Sequence, residues 1–330
     1  MSLRIGVVGA GAMGSEHVRV LSAHVPAARV TTVFDADVER AAHVADGVSA
    51  RVASSGEDLV RSDDVDAVVI ASPDFTHADL VRACIDARKQ VLCEKPLALT
   101  SEESAGVVEA EAASGRRFVQ VGFMRRFDPG FVALRESALG GAVGIPRMVH
   151  CVHRNAVSQT STSSDNLITG SMIHELDTVR WLLGEEIVSI DVRSPVAEGF
   201  ADPQLAVIEM ASGVLVTVEV FVNAHYGYDV GCEVVGTRGT TSLAAPQLVT
   251  HKRAGADETP IGDSFVARFA DAYRIELNEW VEAALGGTPT GPTAWDGHVA
   301  NVVAAAGIAS LHSGSRQRVE LPAAPGLYAS

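Results

Sequence analysis

Basic runs are missing from this 330-residue chain. Its 41 Asp and Glu outnumber its 26 Lys and Arg, giving a formal net charge of −15. With no basic tail or patch, that balance argues against a nucleic-acid partner or an anionic membrane surface. It leaves room for a phosphate-bearing cofactor, which a local backbone site can hold. Cysteine is scarce: Cys84, Cys93, Cys151 and Cys232 are scattered, without CxxC spacing. Such usage speaks against a disulfide framework or a zinc site and for a reducing cytoplasm. No metal is expected. No apolar run is long enough to span a bilayer, no signal peptide precedes the first strand, and no repeat or low-complexity segment is present. Apolar residues are plentiful: 47% of the chain is hydrophobic, enough at this length for two packed domains and too much for disorder.

The first apolar run, Leu3 to Val8, leads straight into Gly9-Ala10-Gly11-Ala12-Met13-Gly14, and a helical pattern follows through His17, Val18, Val20 and Leu21. This is GxGxxG between a strand and a helix. Gly9 permits the tight turn, Gly11 lets the backbone approach a pyrophosphate, and Gly14 allows close helix–strand packing. The next strand, Arg29 to Phe34, ends at Asp35. An acid about twenty residues beyond the glycines accepts from ribose hydroxyls and repels a 2′-phosphate, so NAD is favoured over NADP. Arg40, the nearest cation, reads as a turn residue, and Asp37 as the cap of a helix through Ala45.

Val65 to Ala71 is a third strand, ending in Ser72-Pro73, and Ala78 to Ala87 a helix. Ser72 and Pro73 stand at a strand carboxyl end and are candidates to line the cofactor. His77 is open between that role and an ordinary first-turn helix residue. Val91-Leu92-Cys93 reads as the buried end of a fourth strand, followed by Glu94-Lys95-Pro96. Pro96 cannot continue a ladder and keeps Lys95 extended, so Lys95 stands at a strand carboxyl end, where open parallel sheets bind ligands. Ser101 to Ala113 reads as a helix capped by Ser101, with Ser104 neutral to packing, and Arg117 to Gly122 as a fifth strand. The alternation over residues 1–122 predicts a doubly wound parallel sheet, a Rossmann domain.

Beyond residue 122 the pattern changes. A helix carries Phe131, Leu134 and Leu139, and then come strand-like runs at Met148–His153, Val188–Arg193, Leu205–Met210, Val214–Val222, Val230–Gly236 and Thr240–Leu243. Ala211-Ser212-Gly213 marks a hairpin. Residues 123–330 therefore read as an α+β domain on a largely antiparallel sheet. Val214 to Val218 is apolar on both faces and asks for cover on both sides. One helix interrupts the strands, Ser171 to Gly184, with Ile173, Leu176, Val179 and Leu183 as its apolar stripe. His174 and Asp177, three apart, lie on neighbouring parts of one face. Residues 251–264 read as a polar, flexible connection, Phe265–Leu285 as one long amphipathic helix, and Gly297–Ser313 as an Ala-rich helix.

These motifs occur together in one order: the glycine loop, Ser72-Pro73, Glu94-Lys95-Pro96, Gln120-Val121-Gly122-Phe123-Met124-Arg125-Arg126, His153-Arg154-Asn155, His174-Glu175-Leu176-Asp177, Tyr226-Gly227-Tyr228-Asp229 and Gly291-Pro292-Thr293-Ala294-Trp295-Asp296-Gly297. In that, the chain resembles the glucose–fructose oxidoreductase and inositol dehydrogenase family end to end, and within it the bacterial myo-inositol 2-dehydrogenase branch. The resemblance implies a nicotinamide domain over 1–122 and, over 123–330, a substrate domain whose open-faced sheet packs in homotetramers. It implies oxidation of one secondary hydroxyl of a cyclic polyol, myo-inositol to 2-keto-myo-inositol, with NAD. Lys95 and His174 would flank that alcohol, His174 as base and Lys95 steadying the developing charge. Met124, Arg125, His153, Asn155, Asp177 and Tyr228 match positions lining the polyol pocket. Cofactor contacts would fall on Gly9, Gly11, Ala12, Met13, Gly14, Asp35, Ser72, Pro73, His77, Glu94 and Lys95.

The chain departs from the family at one place. An Asp is usual four residues before the catalytic His; here that residue is Gly170. The alternatives are reduced activity, an altered substrate such as another inositol isomer or a pyranose, or substitution by water or Asp165. A catalytically silent NAD-binding protein is the rival from another class.

Overall fold

The computed structural model describes residues 2–158, 163–244 and 249–329, apart from the Arg253 side chain. The chain runs β1 (Leu3–Val8), α1 (Ala12–His24), β2 (Ala28–Phe34), α2 (Val38–Asp46), β3 (Arg51–Val52), α3 (Gly56–Arg61), β4 (Ala67–Ile70), α4 (His77–Asp86), β5 (Gln90–Glu94), α5 (Ser101–Ser114) and β6 (Val119–Gly122). Next come α6 (Pro129–Leu139), β7 (Pro146–Arg154), the single turn α7 (Ser164–Asn166), a π-turn over Leu167–Met172 and α8 (Ile173–Leu183). Five strands follow: β8 (Ile187–Arg193), β9 (Gln204–Met210), β10 (Leu215–Phe221), β11 (Asp229–Gly236) and β12 (Gly239–Ser242). The chain closes with a small hairpin, β13 (His251–Arg253) and β14 (Ala256–Glu258), then α9 (Phe265–Arg268), α10 (Ala270–Gly286), α11 (Ala294–Ser313) and β15 (Gln317–Arg318).

Two compact units result. The first takes residues 1–127, 271–301 and 322–330; the second takes 128–270 and 302–321. The first unit holds a six-stranded sheet in the order β3-β2-β1-β4-β5-β6, parallel throughout. Every residue of β4 is buried, as a sheet covered on both faces requires. The strand order turns back between β1 and β4, the switch point where such sheets bind ligands. Ile5, Val7, Leu21, Val33 and Leu92 form its core together with Leu277, Trp280 and Val281 of α10. Burying each of those large side chains is worth about 1.5–3 kcal/mol, which ties this late helix to the first sheet.

The second unit holds a seven-stranded mixed sheet in the order β12-β11-β7-β10-β9-β8-β15. The β7–β10 pair is parallel; the other pairs are antiparallel. One face is buried, through Val149, Cys151, Val216, Val218, Ala206 and Ile208. The other carries Met148, Leu205 and Leu215, which are 36%, 45% and 41% exposed. The strand expected to be apolar on both faces thus alternates: Val216, Val218 and Val220 are buried, and Leu215, Thr217 and Glu219 lie on the open side.

Several local expectations are corrected. Thr100, not Ser101, caps α5, in a reciprocal capping box with Glu103. Ser104 is fully buried and bonded to His298 Nδ1 at 2.9 Å, so it is not neutral to packing. Arg40 lies within α2, not in a turn. The helix expected from Ser171 starts at Ser164, and its last buried stripe residue is Leu182, with Leu183 half-buried. The single helix over 265–285 is broken at Phe269, which leaves the helical conformation. Residues 251–258 form the β13–β14 hairpin rather than an unstructured link.

Candidate active site

In the first unit the glycine loop is shaped by close approach. Gly9 has φ +95°, and a Cβ on it would run into the Ala71 carbonyl. A Cβ on Gly14 would run into the carbonyl of Gly9, so only glycine lets α1 start this close to β1. A Cβ on Gly11 would meet no atom within 4 Å. The loop is therefore tight on its protein side and open at Gly11. No side chain caps α1, and its first amides, those of Ala12 and Met13, remain available to an anion. A dinucleotide pyrophosphate fits this cradle.

Asp35 stands at the end of β2. Its Oδ2 accepts from Ala10 N at 2.7 Å; its Oδ1 accepts from Asp37 N and Arg40 Nη2, both at 2.8 Å. Burial opposes ionisation here, but Arg40 and the two amides outweigh it and hold the carboxyl below the usual carboxylate range. An ionised acceptor beside the glycine loop suits a ribose diol and disfavours a 2′-phosphate. Asp37 does cap α2, accepting from Arg40 N.

The loops after β4 and β5 are joined by His77. Its Nε2 lies 2.8 Å from the Ser72 carbonyl oxygen and its Nδ1 2.7 Å from that of Pro96. The ring is 1% exposed, so it bridges the Ser72-Pro73 loop to the Lys95-Pro96 loop. Glu94, also buried, accepts from Lys95 N at 3.2 Å and lies 2.7 Å from His17 Nε2. Burial opposes its ionisation, yet His17 and the charge of Lys95 keep its carboxyl below the ordinary range. The His17 ring meets Tyr273 of α10 edge-on at 6.0 Å. On the same helix Glu276 is fully buried, and burial, then the charge of Glu94, push its pKa well above normal. Two buried carboxyls with opposite pKa shifts, Glu94 lowered and Glu276 raised, therefore face one another behind the Lys95 loop. Sequence reading missed His17 and Glu276; the available signal was a polar residue inside each helix's apolar stripe.

Met124 and Arg125 follow β6 in a short 3-10 turn, 3% and 2% exposed. Arg126 pairs with Asp296 at 3.2 Å, and Asp296 in turn accepts from Thr293 N and Oγ1.

In the second unit, β7 and α8 bring two imidazoles together, with the His153 and His174 centroids 6.2 Å apart. Tyr228, just before β11, meets His153 edge-on at 5.8 Å and is backed by Phe265 and Phe269 at 6.2 Å each. That backing explains the break at Phe269: the kink turns both phenylalanines toward Tyr228. Glu175, 1% exposed, lies 3.2 Å from His153 Nδ1 and fixes that ring. Asp177 is buried at 2%. Asn155 is half-buried and follows β7, its backbone N–H donating to the Phe221 carbonyl. Glu175 had no expected role; its place inside the His174-Glu175-Leu176-Asp177 motif was its signal. Asp165, the residue weighed as a substitute for the carboxylate usual at 170, lies 2.7 Å from His312 Nε2. Among the described residues no His, Cys, Asp and Glu group is arranged to hold a metal, and no helix is long and apolar enough to cross a membrane.

Residues 3–123 match the model of an oxidoreductase family with an NAD-binding Rossmann fold, and residues 140–321 the C-terminal alpha/beta domain of that oxidoreductase family. The chain is 47% identical to inositol 2-dehydrogenase 1 of Saccharopolyspora erythraea, over 99% of each chain. It is 43% identical to inositol 2-dehydrogenase of Ralstonia nicotianae over the same share of both. The crystal structure of myo-inositol dehydrogenase from Lactobacillus casei in complex with NAD(H) and myo-inositol superposes with a TM-score of 0.95 at 34% identity, covering 99% of this chain and 100% of that one.

Proposed function

The chain belongs to this NAD-binding Rossmann oxidoreductase family, and from that premise we propose that it oxidises one secondary hydroxyl of a cyclic polyol with NAD, taking myo-inositol to 2-keto-myo-inositol. The observation that carries the reading is the end-to-end likeness to inositol 2-dehydrogenases, joined to a glycine cradle that fits a pyrophosphate. When bound, NAD accepts the hydride. In this reading His174 takes the hydroxyl proton, and Lys95 hydrogen-bonds the same oxygen and steadies the charge that develops on it. Glu94, its carboxyl held below the ordinary range by His17, accepts from the Lys95 backbone N–H and so positions the Lys95 loop. Met124, Arg125, His153, Asn155, Asp177 and Tyr228 bind the remaining ring hydroxyls, each unmatched one costing affinity. Gly9, Gly11, Ala12, Met13 and Gly14 hold the pyrophosphate and Asp35 the ribose. Ser72, Pro73, His77, Glu94 and Lys95 shape the remaining cofactor wall, with His77 acting through the two loops it joins.

We assign cofactor binding to residues 1–122, and substrate binding and self-association to 123–330. The exposed Met148, Leu205 and Leu215 on the open sheet face support a homotetramer. The acidic balance and four buried free cysteines support a cytoplasmic enzyme with no nucleic-acid or membrane partner.

Gly170 favours a second reading in which the preferred substrate is another inositol isomer or a pyranose. The test is NADH formation over a panel of inositols and sugars. Turnover highest with myo-inositol supports the first reading; a different best polyol supports the second. Tight NAD binding without turnover on any of them would leave a silent cofactor-binding protein.

A further inference from the structure

The stretch leading into α8 is pinned along its length. Ser163 Oγ accepts from Asn166 N at 3.1 Å. Ser164 Oγ accepts from Ala201 N at 2.9 Å, and its carbonyl accepts from Gln204 Nε2 at 2.8 Å. Asp165 is held by His312. The next turn, Leu167–Met172, is a π-turn, in which an N–H reaches back five residues, as Ile173 N does to the Ile168 carbonyl. Such turns are rare and recur at functional sites. The wide turn keeps positions four apart near one side of the helix, so Asn166, Gly170 and His174 follow one another in a row.

Gly170 has no left-handed φ that would call for glycine. Where its Cβ would stand, the nearest atoms are Nδ2, Oδ1 and Cγ of Asn166, at 3.5, 3.7 and 3.8 Å. Helical side chains tilt toward the N-terminus, so a longer residue at 170 would extend into the place this amide occupies. The glycine is explained by what lies across it.

We propose that Asn166 is a specificity-determining residue: through the gap left at Gly170, its amide reaches the side of the helix that His174 presents and hydrogen-bonds one ring hydroxyl of the cyclic polyol. The proposal rests on the role given to His174. An amide is neutral and offers both a donor and an acceptor, whereas a carboxylate only accepts. Asn166 can therefore receive a hydroxyl in either sense without setting a second charge beside His174. Discrimination between polyols differing at that one carbon then follows from whether the hydroxyl meets the amide.

The test is steady-state kinetics of the full chain on myo-inositol, scyllo-inositol and glucose, for wild type, Asn166→Ala, Asn166→Asp and His174→Ala. Asn166→Ala is expected to raise KM for the best polyol about tenfold, with kcat within about threefold and KM for NAD unchanged. The ranking of the three substrates should flatten. Asn166→Asp, of the same shape, guards against a folding defect and should reorder the ranking instead of flattening it. Unchanged polyol KM and ranking in both variants, with His174→Ala inactive, overturns the role of Asn166 and leaves that of His174 standing. Full activity in His174→Ala, or no polyol turnover by wild type, overturns both.

Discussion

Glu276→Gln is the substitution whose consequence follows most directly from burial. The carboxyl is fully inside the first unit, and neither oxygen has a hydrogen-bond partner among the described residues. Burial first, and the Glu94 charge second, raise its pKa well above the ordinary carboxyl range in the folded chain. Unfolded, it ionises above about pH 4.3. From there up to the folded pKa the unfolded state binds one proton fewer, so folding stability falls as pH rises. This group's contribution is intact below the unfolded pKa and is lost on approach to the folded one. The slope is about 1.4 kcal/mol per pH unit. Glutamine keeps the shape and has no proton to lose, so the variant lacks that slope. Any constant cost of the amide cancels when two pH values are compared. Chemical denaturation at pH 5.0 and 6.0, just above the unfolded pKa, should show the variant gaining roughly 1 kcal/mol on wild type between them. Parallel profiles would mean that the Glu276 pKa is not raised in the folded protein, and the effect of burial and of Glu94 on it would have to be abandoned.

Gly14→Ala should cost about 1–3 kcal/mol of stability and at least tenfold in NAD affinity, read by calorimetry, because the new methyl collides with the Gly9 carbonyl. Asp35→Ser should lower the NAD-to-NADP ratio of kcat/KM at least tenfold, about 1.4 kcal/mol, by removing the ionised ribose acceptor and freeing Arg40; an unchanged ratio would count against the ribose assignment. Gly170→Asp adds a Cβ that meets nothing closer than 3.5 Å and a carboxyl that must push the Asn166 amide aside; the variant should fold and should raise activity on myo-inositol relative to other polyols. A constant substrate ratio in a folded variant would show that a side chain at 170 does not reach the substrate.

The first sheet was legible because its signals are local. A strand running into GxGxxG, an acid at the next strand end and Glu-Lys-Pro each fix their own backbone, and the parallel order followed from alternation. Misreadings arose where distant residues decide. Ser104 reads as neutral to packing until His298, 194 positions on, bonds its hydroxyl. Phe269 breaks a helix because its ring backs Tyr228. His17 and Glu276 sit in helices at positions that read as core, and only packing brings each of them near Glu94. Gly170 was visible as a departure, but the amide lying across it was not, because the π-turn that aligns Asn166 with Gly170 leaves no mark on hydrophobic periodicity.

The joint action of an amine and an imidazole on one hydroxyl is tested most directly by kcat/KM for the best polyol in Lys95→Ala, His174→Ala and the double variant, alongside NAD affinity. Each single change should cost about 10²–10⁴-fold, the double change little more than the worse single one, and NAD affinity should stay within about threefold. Near-normal turnover in either single variant, or losses that multiply in the double, would contradict it.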